Sequence, residues 1–162
     1  MQKTYITKSD QETIALGSKI GATLRGGDFL ALTGDLGGGK TQFTKGIAKA
    51  LGITETVVSP TFTIERVYDN LHHFDLYRTE NDQEIRESIL DLQNDSQAIV
   101  VVEWPENIQG ILPEKHLAIN FKYLEENERE ITFSNVTLSG TKGPGPEILD
   151  SSGGQNDGGV TQ

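Results

Sequence analysis

Residues 34 to 41 read GDLGGGKT, which fits the spacing G-x-x-x-x-G-K-[ST]. Glycines let consecutive backbone N–H groups turn inward around an anion. A helix opening directly after them adds the positive end of its dipole. Lys40 would then reach the outer phosphates of a nucleotide, and the Thr41 hydroxyl would ligate Mg2+. A plain strand-to-helix turn accounts for one or two of the glycines but not for the lysine. A loop of this kind also needs an acid for the metal, usually at the end of a neighbouring apolar strand. Glu103, closing AIVVVE (98–103), stands in that place, with Asp75 and Asp35 as alternatives. Asp35 is the poorer choice, because inside the loop its carboxylate would face phosphate charge. Asp75, in HHFDLYR, could hold metal-bound water or orient an attacking one. The plainer reading of Asp75 is an exposed strand carboxylate.

Base and reaction class follow from what accompanies the loop. No asparagine is followed by lysine, so the N-K-x-D guanine code is absent. Nucleoside kinases clamp a second phosphate substrate with several arginines. This chain has only five, Arg25, Arg66, Arg78, Arg86 and Arg129, and they are scattered. ATP is favoured over GTP, and hydrolysis or gating over transfer. A small-molecule kinase and a nucleotide-binding regulator without turnover are the competing classes.

These residues need a frame, and the sequence outlines one. Ser9 and Glu12 form a capping box ahead of Leu16, Ile20 and Leu24 at helical spacing, and Gly26-Gly27 should end that helix. DFLALT (28–33) reads as a short strand. Phe43, Ile47, Ala50 and Leu51 mark a helix stopped by Gly52. Thr61 to Tyr68 and Leu71 to Tyr77 read as a hairpin about Asp69-Asn70, with the asparagine suited to positive φ. A helix is expected over roughly 81–93, and AIVVVE reads as a central parallel strand. Leu117 to Tyr123 and Arg129 to Phe133 would be a final antiparallel pair. The expected fold is α/β, with a parallel central sheet, antiparallel hairpin additions and flanking helices.

Composition sets the outer bounds. The 162 residues suit one domain, expected over 1–138. From Ser139 the chain is mostly Gly, Pro, Ser, Asp, Asn and Gln, and 139–162 is expected to be a disordered tail. Without cysteine there is no disulfide, thiolate nucleophile or zinc–sulfur site. No apolar run is long enough to cross a bilayer and the N-terminus lacks a signal-peptide core, so a cytoplasmic protein is expected. The net charge is −10, of which the tail contributes −2. That balance disfavours a broad nucleic-acid surface of the protein's own. If nucleic acid is involved, a partner would hold it.

Taken together, SDQETIALG (9–17), TGDLGGGKTQFTKGIAKALG (33–52), VVSPTFTI (57–64), HFDLYR (73–78) and VVEWPE (101–106) resemble the TsaE family of bacterial ATPases. That family serves tRNA threonylcarbamoyladenosine biosynthesis. The likeness covers about residues 3 to 134. The phosphate loop is common to many families, whereas SPTF, HFDLYR and VEWPE in that order are far more discriminating. Gly38 stands where alanine is usual, and Gln42 replaces a common second threonine. The glycine-rich tail has no counterpart in the family.

The resemblance implies a P-loop NTPase with ATP and Mg2+ as its ligands. Lys40 and the amides of Asp35, Leu36, Gly37, Gly38, Gly39, Lys40 and Thr41 would bind the phosphates. Thr41 and Glu103 would hold Mg2+. SPTF would be a mobile switch with Thr61 near the γ-phosphate, and Asp75 a second switch acid needed for hydrolysis. Trp104 would report or complete the site rather than pack in the core, and Asp10 and Arg129 would lie around adenine. The implied partners are TsaD, which transfers the threonylcarbamoyl group to adenosine in tRNA, and TsaB. Turnover alone would be low, and tRNA would be met only through the partners.

Overall fold

The computed structural model describes residues 2–60, 63–79, 82–108 and 110–137, with no side-chain description for 135–137. Thr61 and the segment 139–162 therefore lie outside the described residues. In chain order the elements are β1 (Gln2–Thr7), α1 (Asp10–Gly21), β2 (Phe29–Gly34), α2 (Lys40–Ala50), β3 (Glu65–Tyr68), β4 (Leu71–Asp75), α3 (Gln83–Gln93), β5 (Ile99–Glu103), β6 (Lys115–Glu125) and β7 (Glu128–Thr137). The strands form one sheet in the order β1-β7-β6-β2-β5-β4-β3. Its centre, β6-β2-β5-β4, is parallel. β1 and β7 extend one side antiparallel, and β3 closes the other.

Alternation along the central strands divides the core into two layers. Leu30 and Leu32 of β2 and Ile99 and Val101 of β5 pack with Phe43 and Ile47 of α2 and with Leu16 and Ile20 of α1. Phe29, Val100, Val102 and Phe74 face the other way, onto Ile89 of α3. Buried on both faces, β5 has to be an uninterrupted apolar run. The same period of two carries Glu103 to the α2 side with Val101. It also carries His73 and Asp75 to that side with Leu71. The register sets Glu103 beside Leu32 on one flank and Asp75 on the other. Three strands thus bring their carboxyl ends to the base of the glycine loop, where open α/β sheets place their ligands.

Helices α1 and α2 cross through glycines. A Cβ on Gly46 would lie 2.0 Å from the Ile14 carbonyl oxygen, and one on Gly17 would lie 2.1 Å from that of Phe43. This close approach seats the start of α1 against the loop, with Thr13 beside Gly39. Gly46→Ala should therefore cost about 1–3 kcal/mol by overpacking. The test is the urea midpoint, and an unchanged midpoint would mean that the helices part without strain.

The sequence boundaries need several corrections. The edge strand β1 went unanticipated; it pairs antiparallel with β7 from Gln2↔Ser134 to Thr7↔Arg129. Helix α1 ends at Gly21, and the Thr23 and Leu24 amides tighten back onto Ile20 and Gly21. The capping box holds in part: the Glu12 amide donates to Ser9 Oγ, but the Glu12 carboxylate accepts from the Lys8 amide. In the β3–β4 turn Asp69, not Asn70, takes the positive φ, at 56°. β6 pairs antiparallel with β7 as expected, and is also a member of the parallel centre through β2.

Candidate functional site

The loop between β2 and α2 is shaped by two glycines that nothing else could replace. Gly34 has φ 117°, and a Cβ there would lie 1.9 Å from the Phe121 carbonyl oxygen. Gly39, at φ 99°, is the N-cap of α2 and turns the chain into the helix without a side-chain cap. The first-turn amides of α2, those of Lys40 and Thr41 among them, have no helical acceptor and face the loop. Two loop amides expected to hold phosphate are already engaged: Asp35 N–H donates to Phe121 O (3.0 Å) and Gly38 N–H to Asp35 O (3.0 Å). They shape the cradle from behind. The Leu36 side chain is exposed.

Lys40 is 7 % exposed, and its Nζ donates to the carbonyls of Gly34 (3.0 Å) and Asp35 (2.8 Å). It also lies 4.7 Å from the centre of the Trp104 ring, a cation–π contact. Burial pushes the ammonium below the ordinary lysine range, while Glu103, Asp75, Asp35 and Glu106 pull in the charged direction. The lysine is thus a desolvated cation held over acids, a strong receptor for phosphate oxygen.

Glu103 is 2 % exposed at the end of β5, and its Oε2 lies 3.4 Å from Nε2 of the fully buried His73. Thr41 shares the same cleft. Asp75 does not match the exposed-carboxylate reading. It is half-buried and lines the cleft, accepting from Ser59 Oγ at 3.1 Å and from the Tyr77 amide at 3.0 Å. Asp35 instead takes the Tyr123 amide on its carboxylate, at 3.1 Å.

Trp104, at φ 59°, lines the cleft with its ring 4.9 Å from that of Tyr77. It is only half-buried, yet it also packs against the α3-side core, so it serves site and core together. Asp10, at the start of α1, borders the cleft. Arg129 is not among the residues lining it; its guanidinium donates to Gly37 O and lies over the Tyr123 ring, and its Cγ would stand 3.8 Å from a Cβ on Gly39.

The cleft encloses about 540 Å³, within the range of small-molecule sites. Its donor set suits a magnesium nucleotide. Among the described residues no group of three or more His, Asp or Glu could hold a metal unaided. A metal at Thr41 and Glu103 would need further oxygens from phosphate and water, as Mg2+ prefers. Residue-by-residue reading missed His73, Ser59, Gln42, Tyr77 and Arg78. All stand in or beside the quoted motifs. Their relevance depended on which strand ends meet.

The family model for the threonylcarbamoyl adenosine biosynthesis protein TsaE matches residues 7–131. The tRNA threonylcarbamoyladenosine biosynthesis protein TsaE of Bacillus subtilis is 43 % identical over 139 residues, covering 83 % of this chain and 87 % of that one. The protein of the same name from a Nostoc species is 39 % identical, covering 85 % and 91 %. The crystal structure of Bacillus subtilis YdiB superimposes with a TM-score of 0.70 at 39 % identity, covering 84 % of this chain and 86 % of that one. The fold is accordingly that of a P-loop NTPase, and the chain belongs to the TsaE family.

Proposed function

We propose that this protein binds ATP with Mg2+ and hydrolyses it slowly, in support of threonylcarbamoyl transfer to adenosine in tRNA by a TsaD–TsaB-like partner complex. One observation carries the ATPase reading. Lys40, Glu103 and Asp75 converge from one loop and two adjacent strands, with Asp75 placed apart from the Lys40 ammonium's own hydrogen bonds. Lys40 would keep its two backbone carbonyls and turn its third ammonium hydrogen to a phosphate oxygen. Thr41 and Glu103 would hold the metal, which supplies charge neutralisation at the phosphates. Asp75, oriented by Ser59 and the Tyr77 amide, would position water, and Thr61 is assigned to the γ-phosphate side. Asp10 would meet the nucleoside end of the cleft.

The tRNA role rests on the relatives' printed names. The charge of −10 is compatible with tRNA being held by a partner. No helix among the described residues is long and apolar enough to cross a membrane.

Phosphate release from ATP, measured alone and with TsaD and TsaB, tests the proposal. Slow release that rises with the partners is expected. Phosphate appearing on a metabolite would favour a kinase instead. Binding without turnover under either condition would favour a regulator. Trp104, the sole tryptophan, should change its emission when Mg-nucleotide binds, because it lines the cleft. Read by that signal, Thr41→Ala and Glu103→Ala should each raise the Mg2+ concentration needed for tight ATP binding by about tenfold or more. An unshifted Mg2+ dependence in both variants would take the metal away from these two residues.

A further inference from the structure

Arg129 sits on β7 with its guanidinium spread over the tip of the β6–β7 hairpin. Nη1 donates to the carbonyls of Glu125 (3.1 Å) and Glu128 (3.0 Å), and the group stacks 4.5 Å from the Tyr123 ring centre. Nε reaches back to Gly37 O at 2.8 Å. Gly37 C=O and Gly38 N–H belong to one rigid peptide plane and point in opposite directions. The far side of that plane is held as well, because Gly38 N–H donates to Asp35 O at 3.0 Å. The same Asp35 oxygen is one of the two seats of the Lys40 ammonium. An unbroken line of contacts therefore runs from the guanidinium through one glycine peptide to the phosphate-binding lysine. Gly37, at φ 72°, would meet nothing within 4 Å of an added Cβ, so side-chain packing does not fix the peptide there.

We propose that Arg129 is a positioning residue for the phosphate loop. It fixes the Gly37–Gly38 peptide, and thereby the seat of Lys40, so that the loop grips a triphosphate chain whatever base it carries. This assignment rests on the nucleotide-binding reading.

Arg129→Met keeps an apolar stem against Tyr123 and removes every donor. In the ligand-free, 15N-labelled full chain, the Gly38 amide should exchange with solvent about tenfold faster in the variant, reflecting one lost charge-assisted hydrogen bond. ATP and inorganic tripolyphosphate, titrated separately, should both weaken, and by similar factors. The melting midpoint should stay near that of the wild type, which excludes general loosening as the cause. Unchanged Gly38 exchange overturns the role, as does a loss confined to ATP with tripolyphosphate unaffected. If the wild type binds neither probe, the nucleotide reading itself fails and takes this role with it. Wild-type binding with no Gly38 response removes the role of Arg129 alone.

Discussion

Lys40→Ala should weaken Mg-ATP binding by one to two orders of magnitude, from the loss of a charge-assisted hydrogen bond of about 1.5–3 kcal/mol. The ammonium is nearly buried, so little of its attraction for phosphate is dissipated by solvent. Its removal leaves the Gly34 and Asp35 carbonyls without their shared donor, and leaves Glu103 and Asp75 facing phosphate charge unbalanced. Isothermal titration checks the result, and undiminished affinity would remove Lys40 from the phosphate site. A pH series adds a second reading. Only the charged amine attracts phosphate, and burial lowers the Lys40 pKa. Affinity in the wild type should therefore fall on the alkaline side at lower pH than a solvated lysine would allow. The alanine variant should lack that limb.

Asp75→Ala should do the opposite to the two halves of the cycle. Affinity for Mg-ATP should stay within about threefold, because Lys40, Thr41 and Glu103 hold the ground state in this reading. Turnover should fall by about a hundredfold or more, the scale of a lost water-positioning or proton-accepting group. The same loss is expected with and without partner proteins. Asp75 also anchors Ser59 and the Tyr77 amide, so alanine disturbs the neighbouring segment as well as the charge. Asp75→Asn separates these effects, since its carbonyl oxygen can still accept from the Tyr77 amide while its NH2 group donates to Ser59 Oγ, a hydroxyl that also accepts. An asparagine variant that binds ATP normally and does not turn it over points to the carboxylate charge. Wild-type hydrolysis in both variants would return Asp75 to a purely structural role on β4.

Local chemistry made much of the site legible before any fold was known. Glycine at 34 and 39, lysine at 40 and threonine at 41 state their purpose within eight residues, because a phosphate cradle is built from consecutive backbone amides. An apolar run closing in Glu103 announces a doubly covered strand with an acid at its end. Period-two alternation even hints that His73 and Asp75 share a face. The partners of these groups were not legible. Whether Asp75 is a surface acid or a cleft acid depends on β4 lying directly against β5, a register that pairs residues 28 positions apart. The engagement of the Asp35 amide depends on Phe121, and the hold on Gly37 depends on Arg129, 92 positions away. Propensity and spacing act over a few residues, whereas such contacts exist only after the sheet has chosen its strand order. The amino acids thus determined which chemistry the loop could perform. Tertiary pairing decided which acids reach it, which loop amides remain free for phosphate, and which arginine braces it.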